Sequence, residues 1–194
     1  MFPVREESPA HYVRDLRLKM EVNSRIPDNF FECLPWFTDV DRMSLSGHGM
    51  VPLTEPSSWK LPRSVTSLTI DSPLVTLVQV RDIMLQLPNL NDLALTPDSL
   101  AKPDERMLPG NRTALKGRFG GRLLLRGGCV GEDVVNMLLE IPSGLRFTEL
   151  DIYCTQDPLP SSAVRLAEAC RETLVKLSHM FDYPCMSRPF SGWF

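Results

Sequence analysis

The chain of 194 residues contains no run of about 18 apolar residues, so nothing in it reads as a membrane-spanning helix. Its first ten residues carry Arg5, Glu6 and Glu7 and lack an apolar stretch, which argues against a secretory signal peptide. Net charge is small. Against 21 Lys and Arg stand 24 Asp and Glu, −3 in all, so no global field draws the chain to nucleic acid or to an anionic membrane. Cysteines are few and odd in number. Cys33, Cys129, Cys154, Cys170 and Cys185 include no Cys-x-x-Cys pair, which supports neither a disulfide framework nor a zinc site. They read as reduced, mostly buried small hydrophobes of a cytoplasmic or nuclear protein. Histidine is scarcer still. His11, His48 and His179 are not spaced with a cysteine or carboxylate in any metal-binding motif, so neither a metal nor a cofactor is expected.

Catalytic signatures are absent too. Ser46-Gly47-His48-Gly49 places a hydroxyl near an imidazole, but it is no Gly-x-Ser-x-Gly elbow, and glycines after a strand ordinarily make a turn. Gly127-Gly128-Cys129-Val130-Gly131 lies between a strand pattern and a helix pattern, as a phosphate loop does. It lacks both the Gly-x-Gly-x-x-Gly spacing and the Gly-Lys-Ser/Thr ending, and reads as a tight strand-to-helix turn. Asn111-Arg112-Thr113 is a glycosylation sequon without a secretory context. Arg112, Lys116, Arg118, Arg122 and Arg126 form the densest basic stretch, with Phe119 as its one aromatic, and read as a solvated face. The chain is expected not to be an enzyme.

Proline is plentiful, at 17 residues, so elements are short and connections many. Between the prolines one pattern recurs: apolar, two variable residues, apolar, one variable residue, apolar. It spans Val13–Leu18, Val40–Leu45, Val65–Ile70, Leu90–Leu95, Phe147–Ile152 and Leu174–His179, where His179 takes the last inward position. A weaker copy, Gly120–Leu125, has lost its first apolar residue. The middle positions 16, 43, 68, 93, 123, 150 and 177 are separated by 25 to 30 residues. Such alternation makes a strand with one buried face, and the spacing is close to the leucine-rich-repeat range of about 20–29 residues.

Four apolar-Pro pairs keep the same phase: Leu34-Pro35, Leu61-Pro62, Leu87-Pro88 and Ile141-Pro142. Three of them close helix-like stretches. Asp28 to Leu34 has Phe30, Phe31 and Leu34 able to share a face. Thr76 to Leu87 carries Leu77, Val80, Met84 and Leu87 at helical spacing, with Thr76 and Gln79 fitting a capping box. Gly131 to Ile141 opens with Glu132 and Asp133, favourable at a helix N-terminus. A fourth helix is expected over about Ser162 to Thr173, with Ser161 or Ser162 as N-cap. Gly47 to Lys60 and Pro97 to Lys116 fit no helix and read as irregular returns.

The expected fold is α/β: a leucine-rich-repeat-like solenoid, with parallel strands on one side and helices on the other. Residues 1–10 are expected to be a disordered N-terminal segment, 11–180 a solenoid of about seven units, and 181–194 an irregular C-terminal tail. The end units are expected to lack polar caps, so that the chain self-associates or belongs to something longer.

The phrases "LPNLNDLAL", "LPRSVTSLTI" and "LEIPSGLRFTELDI", with the opening "HYVRDLRLKM", resemble repeats of fungal F-box and leucine-rich-repeat-like proteins over roughly residues 11 to 180. In that family an F-box binds the Skp adaptor of a ubiquitin ligase and the repeats recruit a substrate. Here the first strand pattern begins too early to leave room for an F-box, so the resemblance implies the repeat scaffold. A Skp-type adaptor is expected as a partner only if a longer form carries the F-box.

In such a solenoid the variable residues flanking the central apolar position line the open sheet surface. One column would be Asp15, Arg42, Ser67, Asp92, Arg122, Glu149 and Lys176; the next Arg17, Ser44, Thr69, Ala94, Leu124, Asp151 and Ser178. The first alternates in sign, which suits a specific mixed-charge protein better than a uniform polyanion. The expected function is a non-catalytic protein–protein interaction scaffold of leucine-rich-repeat type. The alternative is a substrate-recruiting fragment of an F-box-type ubiquitin-ligase receptor lacking its F-box.

Overall fold

In a computed structural model, described for residues 9–20, 30–47, 60–73, 75–96, 119–141, 145–154 and 159–181, the chain forms an α/β fold around one parallel sheet. The strands are β1 (Asp15–Met20), β2 (Arg42–Gly47), β3 (Ser67–Asp71), β4 (Asp92–Leu95), β5 (Phe119–Arg126), β6 (Leu145–Cys154) and β7 (Lys176–Phe181). They lie in the sheet in chain order, each parallel to the next. Parallel neighbours need a crossover connection. Four crossovers carry helices: α1 (Phe30–Cys33), α2 (Leu77–Gln86), α3 (Glu132–Leu139) and α4 (Ser161–Ala169). The other two run through 48–59 and 97–118, outside the described residues.

The seven expected middle positions pair directly with one another, from Leu16↔Met43 through Leu68↔Leu93 to Leu150↔Leu177. Strand alternation makes this register strict, because a slip of one residue would turn every apolar side chain outward. Strands β1, β2, β3, β4 and β7 start later than the apolar pattern does, whereas β5 and β6 start before it. Val40, Val65 and Leu90 precede their strands in the chain yet are buried. Backbone bonds tie these entries together. The carbonyls of Arg14, Asp41 and Thr66 each accept two successive N–H groups from the next crossover's end, Asp41 and Arg42, Thr66 and Ser67, Asn91 and Asp92. Val175 N–H donates in the same way to the Thr148 carbonyl. Side chains add bonds of the same kind: Ser64 Oγ donates to the Val40 carbonyl at 2.7 Å and Thr148 Oγ1 to the Gly121 carbonyl at 3.1 Å.

Buried strand residues and buried helix residues form one core. Leu68, Ile70, Leu123, Leu125, Leu150 and Ile152 meet Val80, Ile83, Val134, Leu138, Ala163 and Leu166 there. Neighbouring helices touch, α2 against α3 and α3 against α4. Leu68, Leu93 and Leu150 are all buried, as their central places in the pattern require.

Helix α2 has the capping box expected for it. Gln79 N–H donates to Thr76 Oγ1 at 3.2 Å, and Thr76 N–H donates to Gln79 Oε1 at 2.9 Å. Helix α4 departs from expectation at both ends. It starts at Ser161 with Pro160 in the N-cap position, and it ends at Ala169 instead of Thr173. Neither serine caps it. Ser162 Oγ donates sideways to the Val130 carbonyl at 2.6 Å and Ser161 Oγ to Glu132 at 3.4 Å. Both serines therefore serve the joint with the preceding crossover. Thr173 Oγ1 donates to the carbonyls of Phe147 and Cys170, closing the turn after the helix. Among the described residues the first helix spans Phe30–Cys33, and Leu34–Trp36 continues it as a 3-10 turn.

Strand β5 carries a bulge within the weak copy of the pattern. Gly121 has φ +74° and sits at a bulge where the register of β5 and β6 shifts. A Cβ there would stand 2.5 Å from the Asn91 carbonyl oxygen, so the position requires glycine.

Pro9–Tyr12 forms a 3-10 turn across the boundary expected at residue 10, and β7 runs to Phe181. Residues 1–8 and 182–194 lie outside the described residues. So do Asp28, His48, Gly49, Asn111, Arg112, Thr113, Lys116, Arg118, Pro142 and Cys185, together with the side chains of Phe30, Phe31, Phe119, Gly128 and Cys129.

Candidate binding face

The residues that alternate with the core positions stay outside it and form the sheet's second face. Strand pairing brings the two expected columns together. Asp15↔Arg42↔Ser67↔Asp92↔Arg122↔Glu149↔Lys176 is one continuous row across all seven strands. Arg17↔Ser44↔Thr69↔Ala94↔Leu124↔Asp151↔Ser178 is the row beside it. The same parity continues into Lys19, Ser46 and Asp71 at one end of the sheet and Arg126, Tyr153 and Met180 at the other. That third row was legible in principle: it lies one residue past the recurring pattern, and every strand but β4 reaches it.

The face has charged ends and a small-residue centre. At the β1 end Arg17 donates to Asp15 at 2.9 Å, and Arg42 lies 3.9 Å from the same carboxylate. The Arg17 hydrogen bond and the charges of Arg17 and Arg42 hold Asp15 below the usual carboxylate range, against a smaller opposing effect of burial. At the β7 end Lys176 lies 3.5 Å from Glu149. Ser44, Ser67, Thr69 and Ala94 occupy the middle, all partly buried.

Asp151 corrects an expectation. Alternation puts it on the surface available to a partner, but its side chain is buried. Arg122 Nε donates to it at 2.6 Å from the strand on one side, and Ser178 donates to it from the strand on the other. Burial alone pushes the carboxyl up, but the Ser178 and Arg122 hydrogen bonds with the charges of Arg122 and Lys176 outweigh it and hold Asp151 low. Asp151 braces three strands together.

These pairings leave Asp92 distinct. Among the described residues it is the charged member of the two columns without an ion pair. Its Oδ1 accepts from Asn91 Nδ2 and from the Arg122 backbone N–H, each at 3.3 Å. The carboxylate therefore stands at the centre of the face without an ion pair among the described residues, beside the Ser67 and Thr69 floor.

Other sequence candidates group less. His179 is partly buried, and its Nε2 lies 3.2 Å from Cys154 Sγ. Sequence spacing did not reveal this pair, which joins two strands 25 residues apart. Among the described residues no three His, Cys, Asp or Glu side chains gather to hold a metal. Cys154 and Cys170 are buried and Cys33 half-buried. Burial pushes the Cys170 thiol up, partly offset by a backbone hydrogen bond at Phe147. Gly127–Val130 forms the expected turn, with Gly127 at φ 57°. Among the described residues no helix is long and apolar enough to cross a membrane.

No protein-family model, curated protein or solved structure matches the chain.

Proposed function

We propose that the chain is a leucine-rich-repeat-like solenoid that works as a non-catalytic protein-binding scaffold, with the open sheet face as its binding surface. The observation that carries this reading is the alignment of the two columns across all seven strands, set beside a core that takes every alternate residue. Spacing of 25 to 30 residues between paired positions supports the repeat. A rigid sheet presents side chains at fixed intervals, which lowers the entropy lost on binding. The paired charges at either end are already satisfied by one another. The partner segment therefore lies over Ser67, Thr69 and Ala94, and places a basic side chain on Asp92.

Site-specific photo-cross-linking tests this. A photoreactive residue at Thr69 is expected to capture a discrete partner from native extract, and one at Glu168, exposed on α4, is expected not to. Asp92→Lys should abolish the Thr69 capture. Equal capture from both positions, or capture indifferent to Asp92→Lys, refutes the assignment of the face.

A second reading is the substrate-recruiting part of an F-box-type ubiquitin-ligase receptor, with a Skp-type adaptor bound elsewhere. It rests on the resemblance of "LPNLNDLAL" and "LEIPSGLRFTELDI" to repeats of that family. Co-purification of a Skp-type adaptor with a longer natural form would support it.

A further inference from the structure

The two outer strands of the sheet, β1 and β7, fit each other. We propose that β1 of one copy adds to the β7 edge of another, in parallel and in the register used within the sheet, so that copies assemble head to tail.

Three observations carry this. The first is the backbone. Arg14, Asp41, Thr66 and Thr148 each turn a carbonyl towards the following strand, where it accepts N–H groups at the strand's entry. Val175 is the next position of that row, and β7 has no following strand among the described residues. Its carbonyl is therefore directed at the open edge, where an incoming strand would supply the N–H groups. An exposed strand edge is a template for pairing.

The second observation is apolar. Val175 is 85% exposed, Leu177 48% and Met180 47%. Leu177 is the seventh member of a row whose inner members are buried, and Leu16, the first member, is itself only partly buried. Continuing the register sets Leu177 beside Leu16 of the second copy, covering both.

The third is charge. The same register sets Lys176 beside Asp15 of the second copy. Lys176 thereby gains a second carboxylate besides Glu149, and the sign alternation Arg122, Glu149, Lys176 runs on into Asp15 and Arg42. Pairing of β7 with β7 about a two-fold axis would be antiparallel and would not bring Lys176 to Asp15. Because the two surfaces differ, the contact is heterologous and does not close on itself at the dimer.

Sedimentation velocity on the full chain, over the micromolar range, gives the first readout. The average mass is expected to rise continuously with concentration. Zero-length carbodiimide cross-linking of a mixture of isotope-labelled and unlabelled copies gives the second. A Lys176–Asp15 cross-link joining a labelled to an unlabelled peptide is expected. Leu177→Lys places a charge on the edge and keeps the Lys176–Glu149 pair. It should move association to about tenfold higher concentration or more, and remove that cross-link. Unchanged circular dichroism and thermal unfolding of the monomer establish that this variant still folds. Where they change, Leu16→Lys on the opposite edge supplies the same test. A monomer at every concentration overturns the proposal. So does assembly that survives both variants, or an inter-copy cross-link pattern without Lys176–Asp15.

Discussion

Leu93→Ala and Leu177→Ala change the same residue at the same place in the recurring pattern, yet the structure assigns them different costs. Leu93 is 2% exposed, on a four-residue strand between Leu68 and Leu123, both fully buried. The substitution removes three side-chain carbons, worth about 2.5 kcal/mol at about 0.8 kcal/mol for each buried methylene. Strands held on both sides close little of the space left behind, so the cavity raises the cost to about 3–4 kcal/mol, within the range seen for buried leucines. Leu177 is 48% exposed on the outer strand, with Leu150 as its register neighbour on one side. Water already reaches it, so no cavity forms, and the cost falls to about 1 kcal/mol. Urea unfolding followed by far-ultraviolet circular dichroism measures both as midpoint shifts at unchanged slope. Costs within about 0.5 kcal/mol of each other, well inside the usual spread for surface changes, would refute the burial argument.

Gly121→Ala is expected to cost about 1–3 kcal/mol, because the positive φ is strained for alanine and its Cβ meets Asn91; Asn91→Ala should not restore it, since the Asn91 carbonyl is among the groups met. Thr76→Ala should cost about 1 kcal/mol through loss of the capping box, read from the same unfolding curves. Asp151 is held low in the folded state, so its contribution is complete above the unfolded carboxylate range near about pH 4 and is lost as pH falls through the lower folded value. Asp151→Asn should therefore be less stable than the parent chain at neutral pH, and that gap should narrow in acid titrations below about pH 4; a gap independent of pH would contradict the assignment.

Much of this was legible from residue order alone. Alternating apolar positions 25 to 30 residues apart determine which face each residue takes, because a register slipped by one residue would expose leucines such as Leu68 and Leu123. Both open-face columns follow from that parity without further information. The capping box of α2 is equally local, since Thr76 and Gln79 satisfy each other within one turn.

What tertiary structure decided is what depends on neighbours distant in sequence. Leu177 and Leu150 obey one pattern, but among the described residues Leu150 has a strand on either side and Leu177 has one. Alternation places Asp151 on the open face, whereas Arg122 and Ser178, reaching from strands on opposite sides, enclose it. Ser161 and Ser162 have the chemistry of helix caps, yet Glu132 and the Val130 carbonyl take their hydroxyls. Periodicity determines which face a side chain occupies. Burial and bonding on that face depend on what the adjacent crossovers bring against it, and those groups lie some 25 to 33 residues away in the chain.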